Sequence, residues 1–180
     1  HFFDRSRLVS DKEMQSMWAS ILASEANKPG TVSKRTVDLA ATLDKSDAQL
    51  FTNLCTFAWV MGRVTLFVPD SSHEVFEDKG INFGSLTHLN DIGLVTHNMV
   101  SAFTRRALPN NFVIFYYGHP IILELPDGKN ELPTGRVLFT KSGEQLAEIC
   151  GSKASPGIPA EVTMSRCLTK VSGRNGTLTM

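Results

Sequence analysis

Lys34, Arg35 and Thr36 stand in the first turn of a predicted helix that Ser33 caps. A cation at that end opposes the helix dipole, so Arg35 calls for a partner. Glu25, near the end of the preceding helix, can pair with it across the Asn27-Lys28-Pro29-Gly30 turn and fix the angle between the two helices. Alternatively, Arg35 and Lys34 act with the free N–H groups of the helix start to hold an anion or a carboxylate. Any ligand site would be sought first at Glu25, Lys34, Arg35 and Thr36.

A second set of polar residues suits nucleic acid. Ser85, Thr87, His88 and Asn90 lie on one predicted helix, Asn82 to Asp91, and can hydrogen-bond base edges. That helix carries no Lys or Arg, and phosphate contacts need cations. The nearest cations are Arg105, Arg106, Lys129 and Arg136, with Asp127 and Glu131 offsetting them. A solvated polar face explains the helix more simply than a DNA-reading one.

The remaining reactive residues form no constellation. His73-Glu74 lacks the second histidine of a zinc-protease helix. His88 and His97 have no obvious third ligand, and His119 is expected in a turn between strands. Ser142 has no evident base. No nucleophile elbow, phosphate loop or dinucleotide fingerprint is present. Cys55, Cys150 and Cys167 are widely spaced, and Cys55 and Cys150 fall on apolar helical faces, so they read as core thiols. Neither a disulfide framework nor a zinc site is expected, which favours a reducing compartment. The expectation is a noncatalytic chain with no cofactor and no metal.

These residues need elements to position them. Ser10 to Glu13 reads as a capping box for a helix carrying Met14, Met17, Trp18, Ile21 and Leu22, which stops near Asn27. A second helix follows Ser33, burying Val37, Ala40, Ala41 and Leu43. Ser46 to Gln49 reads as another capping box. The helix after it has a wide apolar face of Leu50, Phe51, Leu54, Phe57, Ala58 and Met61. The pattern then alternates, predicting a strand over Val64 to Val68, followed by a short helix within Ser71 to Lys79. Asn82 caps the next helix, which carries Phe83, Leu86, Leu89 and Ile92 and ends at Gly93 in the left-handed conformation with Leu94 folding back. Strands are predicted over Leu94–His97, Phe112–Tyr117, Ile121–Leu125 and Val137–Phe139. Pro126 to Gly135 reads as a hairpin tip. Thr140 caps a helix with Leu146, Ile149 and Cys150, stopped by Gly151. A linker, Ser152 to Pro159, precedes a last helix over Ala160 to Val171.

The bulk composition agrees with one ordinary domain. The chain has 180 residues, 42% hydrophobic and 20% charged. Lys plus Arg and Asp plus Glu are 18 each, so no basic surplus argues for a dedicated nucleic-acid binder. The longest apolar stretch, Phe57 to Val68, is cut by Gly62 and Arg63 and falls short of the roughly 20 residues a membrane span needs. A start at His1 suggests a fragment or processed product, and no signal peptide is evident. A soluble, cytoplasmic protein is expected.

One block is specific enough to compare. Ser10, Asp11, Met14, Gln15, Trp18, Ala19, Ile21, Leu22, Ala23 and Glu25 fall in order, followed by Pro29, Gly30, Ser33, Arg35 and Thr36, then Asp47, Ala48, Leu50 and Phe51. This pattern resembles a bacterial family catalogued as a domain of unknown function, number twenty-eight-oh-six. "LNDIGLV" and "LFTKSGEQL" also fit, so the likeness covers about residues 4–150. Ser24 departs from it, where the family usually has glycine. The resemblance implies a shared fold, a bacterial or phage origin and a longer N-terminus. It transfers no activity.

The order of elements predicts an α+β, mainly α chain: a helical N-terminal bundle leading into a winged-helix-like unit with a small antiparallel sheet. The expected divisions are 1–45 packed on the core, 46–151 as the winged-helix-like domain, and 152–180 as linker, helix and tail. Such a scaffold suits protein contact or self-association, as an interaction or sensing domain of a larger protein. A DNA-binding regulator is the alternative.

Overall fold

The computed structural model describes residues 12–69, 71–125, 130–154 and 178–179. The Ser10 cap, the Asp127 and Lys129 tip, Cys167 and the expected helix over 160–171 lie outside the described residues. Among those described, six helices and nine strands give a mixed α+β chain.

The described residues open with three helices: α1 (Lys12–Asn27), α2 (Lys34–Ala40) and α3 (Lys45–Cys55). Met14, Met17, Trp18 and Ile21 of α1 are buried, as the helical spacing requires. Ser33 caps α2, its hydroxyl accepting from the Thr36 N–H. The cap of α3 differs from the sequence reading. It is Asp44, in a reciprocal box with Asp47, and the Ser46 hydroxyl donates to the Asp44 carboxylate instead of capping. A carboxylate meets the free N–H groups and the helix dipole together, so it outcompetes the serine two positions on.

The largest correction follows α3. The apolar run was expected to stay helical through Met61, but the helix stops at Cys55. Ala58–Val60 is strand β1, which turns back onto β2 (Val64–Leu66) with Ala58 opposite Leu66 and Val60 opposite Val64. A short apolar run does not reveal its period, and here the β-favouring Trp-Val pair and the nearby Gly62 decide it. A short helix α4 (Glu74–Glu77) follows, and then α5 (Phe83–Asp91).

The end of α5 matches its sequence. Gly93 is left-handed, with φ 83°. Its N–H donates to Asn90 O and that of Leu94 to Leu89 O, both at 3.0 Å, the paired bonds of a Schellman end. The chain continues through β3 (Val95–His97), β4 (Phe103–Arg105), β5 (Asn111–Tyr116), β6 (His119–Glu124), β7 (Leu132–Gly135), β8 (Val137–Phe139), α6 (Lys141–Ala147) and β9 (Leu178–Thr179). The strand β4 was not foreseen, and β7 occupies the second half of the expected hairpin tip.

One small sheet was expected, and the described residues form three antiparallel ones. The largest has the order β2-β1-β5-β6-β9; β3–β8 and β4–β7 are two-stranded ribbons. The β5–β6 hairpin turns on Tyr117 and Gly118, both at positive φ. His119 is therefore the first residue of β6, opposite Tyr116, and not a turn residue.

Two apolar clusters result. One runs from Met14 to Leu146 and joins the helices to Leu66, Val95 and Val137. The other is a β cluster of Trp59, Met61, Phe67, Ile114, Tyr116, Ile121, Leu123 and Leu132. The β1–β2 hairpin supplies both, because Leu66 belongs to the first and its neighbour Phe67 to the second.

Candidate functional site

The start of α2 is tied to α6. Thr36 is buried, and its hydroxyl lies 2.6 Å from Gln145 Oε1 and 3.1 Å from the Ser142 hydroxyl. The same Gln145 oxygen accepts the Ser33 N–H at 3.1 Å, while Gln145 Nε2 donates to Thr31 O at 2.8 Å. One side-chain amide thus closes both sides of the turn entering α2. Glu25 closes the turn before it, its carboxylate accepting Val32 N–H at 2.6 Å and Gly30 N–H at 3.0 Å. Those two N–H groups, Val32 first, hold its carboxyl below the usual glutamate range. Glu25 and Thr36 therefore meet protein groups. Lys34 and Arg35 are exposed, and the expected Glu25–Arg35 pair does not form. The N–H groups of Val32, Ser33 and Thr36 already have acceptors within the chain.

The polar residues of α5 are also committed to the fold. Ser85 forms a capping box with Asn82. The Thr87 hydroxyl donates to Phe83 O. His88 Nε2 lies 2.6 Å from Asp47 Oδ1 on α3. Asn90 Oδ1 accepts the His97 N–H and so ties the end of β3 to α5. The cations elsewhere have partners as well: Arg105 donates to Met61 O, Arg106 pairs with Glu131 at 3.2 Å, and Arg136 reaches Met99 O at 3.4 Å. Lys129 lies outside the described residues.

Beside the exposed His88 and Asp91, α5 presents one large apolar side chain. Phe83 is 57% exposed, and its ring meets His97 edge-on at 5.3 Å. The two flank a hollow of about 240 Å³ lined also by Val68, Pro69, Leu86 and Arg136. Burial first, then the Arg136 charge, lowers the pKa of His97 from the usual histidine value. Met99 and Val100 are exposed just beyond β3.

A second apolar surface lies on the outer face of the large sheet. Val60 stands opposite Phe115, and Val113 opposite Ile122. Each of the four is more than two-fifths exposed. An antiparallel sheet with one face in water normally alternates apolar inside and polar outside. Here β5 and β6 put apolar residues on both faces.

A third cluster has no sign in the sequence. Cys55, at the end of α3, and Cys150, just past α6, are neighbouring free thiols, and the Cys150 thiol donates to Ala147 O at 3.5 Å. Tyr117, from the β5–β6 turn, places its hydroxyl 2.9 Å from Cys55 O and 2.7 Å from the Ser152 hydroxyl. The neighbouring Cys55 thiol, with the N–H and hydroxyl of Ser152, outweighs burial and brings the Cys150 thiol down to about 6. Burial pushes Cys55 well above its ordinary value and Tyr117 up to about 12. Both cysteines are free thiols packed at the edge of the helical cluster, as core thiols were expected to be. Their meeting was not legible, because 95 positions separate them (150 − 55) and no linear spacing encodes it.

Among the described residues no group of three or more His, Cys, Asp or Glu is placed to hold a metal ion. No described helix is long and apolar enough to cross a membrane. Compared with known proteins, residues 1–157 match the model of a family described as a protein of unknown function, DUF2806. No curated protein and no solved structure matches.

Proposed function

The chain belongs to the DUF2806 family of proteins of unknown function, and from that premise we propose that it is a noncatalytic interaction domain that binds protein through the outer face of its large sheet. The observation that carries this reading is the set Val60, Val113, Phe115 and Ile122, contiguous by strand register and open to solvent. A contiguous exposed apolar patch marks a contact surface. A second copy of the chain is the first partner to test. With 18 cations against 18 anions, no net charge holds two copies apart. The scaffold is read as winged-helix-like from α3, α5 and the ribbon β3–β8, with the large sheet as an addition to that plan.

Light scattering from micromolar to near-millimolar protein tests this. The expected outcome is a mass that rises toward a dimer, and Phe115→Asp, which places a charge on the face, should hold the chain monomeric. A wild-type mass that stays monomeric across the range would overturn self-association at this face.

The DNA-reading alternative draws little support from the geometry. Thr87, His88 and Asn90 of α5 are hydrogen-bonded within the protein, and the helix carries no Lys or Arg. A gel shift with random duplex at low salt is expected to show no complex. A complex weakened by Arg105→Ala and Arg106→Ala would restore that alternative.

A further inference from the structure

A hollow of about 220 Å³ opens where the β1–β2 turn, β4 and the junction of β8 with α6 meet. Two guanidinium side chains line it. Arg63 stands in the β1–β2 turn and is exposed, and Arg105 ends β4 and is half-buried. Arg105 donates to Met61 O, in the same turn that carries Arg63. That bond anchors the Arg105 side chain beside the turn and leaves the other N–H groups of its fork to give. Among the described residues neither arginine forms an ion pair. Glu144 of α6 adds a carboxylate to the lining, its side chain only 16% exposed. It reaches Lys141, on its own helix, at 3.7 Å, and neither guanidinium lies within that reach. Phe103 and Phe139, both partly buried, supply apolar wall.

Two like charges at one hollow repel each other, and an anion between them removes the repulsion. Guanidinium forks match the oxygens of a carboxylate or a phosphate through paired N–H groups. Glu144 decides between the two. Its charge repels a dianion, and a phosphate monoester carries about −1.5 to −2 at neutral pH. A carboxylate ligand brings a single charge. Glu144 also accepts from a hydroxyl or an ammonium group, and the two rings suit an apolar body. We propose that this hollow binds a small carboxylic acid that bears a hydroxyl or amino group. Its carboxylate meets Arg63 and Arg105, its second group meets Glu144, and its body lies against Phe103 and Phe139. The volume is below the roughly 300 Å³ at which pockets for drug-sized ligands begin, so the ligand is of amino-acid size.

The inference goes beyond the sheet-face reading. None of Val60, Val113, Phe115 and Ile122 lines the hollow, so failure of self-association leaves it intact. The test is an NMR titration of the isotope-labelled full chain with mandelate, which joins a carboxylate, a hydroxyl and a phenyl ring. Saturable shifts are expected at the amides of Arg63, Thr104, Arg105 and Leu138, with Val113 and Ile122 on the sheet face unmoved. Phenylacetate, which lacks the hydroxyl, should bind more weakly than mandelate, and phenyl phosphate more weakly still. Arg63→Gln should weaken mandelate by roughly tenfold or more, the loss of a charge-assisted pair. Arg63 is exposed and unpaired among the described residues, so this variant keeps the fold. Glu144→Gln removes the repelling charge and should raise the affinity for phenyl phosphate; should that variant fail to fold, the comparison of the three probes on the parent still decides the role of Glu144. The proposal is overturned if the shifts stay linear in mandelate through the millimolar range, or if Arg63→Gln binds mandelate as the parent does. It is equally overturned if phenyl phosphate binds the parent more tightly than mandelate.

Discussion

Glu25 shows how a residue flagged for chemistry can serve structure. Its carboxylate is an acceptor for the two N–H groups that close the turn before α2. Because its folded-state pKa is lowered, it stabilises the fold above the ordinary glutamate value of 4.5, and this contribution disappears as pH falls through the lower folded value. Glu25→Gln should therefore have a lower urea midpoint than the parent at neutral pH, with the difference closing in acid. An unchanged difference would show that charge is not what the turn uses. Gln145 has the stricter role, since one amide serves Thr31, Ser33 and Thr36. Gln145→Ala leaves the buried Thr36 hydroxyl with fewer partners and should cost about 1–3 kcal/mol in urea unfolding. The sequence picked out Glu25 and Thr36 but gave them the wrong neighbours. Local spacing displays a helix end and its charges. It does not display a glutamine more than a hundred positions away that takes the Ser33 N–H and the Thr36 hydroxyl.

At the scale of elements, the capping chemistry was legible and the apolar runs were not. Ser33, Asn82 and Thr140 cap as their residue types require, and Gly93 ends α5 as expected. These signals are local, so a short window contains them. Strand β1 was hidden because its residues also continue the apolar face of α3, and only its pairing with β2 and β5 distinguishes the two. The junction of α5 and α6 makes an element-level prediction. Thr140 donates to Gly93 O at 2.7 Å, and its N–H bonds Leu94 O. A Cβ at Gly143 would sit 1.9 Å from that Leu94 oxygen. Backbone cannot yield as a flexible side chain does, so Gly143→Ala should destabilise by roughly 2 kcal/mol or more, read as a loss in thermal midpoint. A variant as stable as the parent would mean that α6 can lift from β3 freely.

For the whole molecule, the α+β class could be read from the order of periods, but the number of sheets could not, because register between distant strands leaves no local trace. The two apolar clusters imply two levels of stability. The helical cluster is the larger and gathers α1, α3, α5 and α6, while the β cluster rests on short strands with one face in water. Hydrogen exchange is expected to protect the amides of α3 more strongly than those of β5 and β6. Ile114→Ala, in the β cluster, should speed exchange across β5–β6 while leaving α3 nearly unchanged; equal acceleration in both would show one cooperative unit. The bond from Thr36 to Gln145 also sets an order in time. A polypeptide leaving the ribosome exposes the start of α2 long before the amide that completes it has been synthesised. That early helix must wait, half-bonded to water, until nearly the whole described chain has emerged.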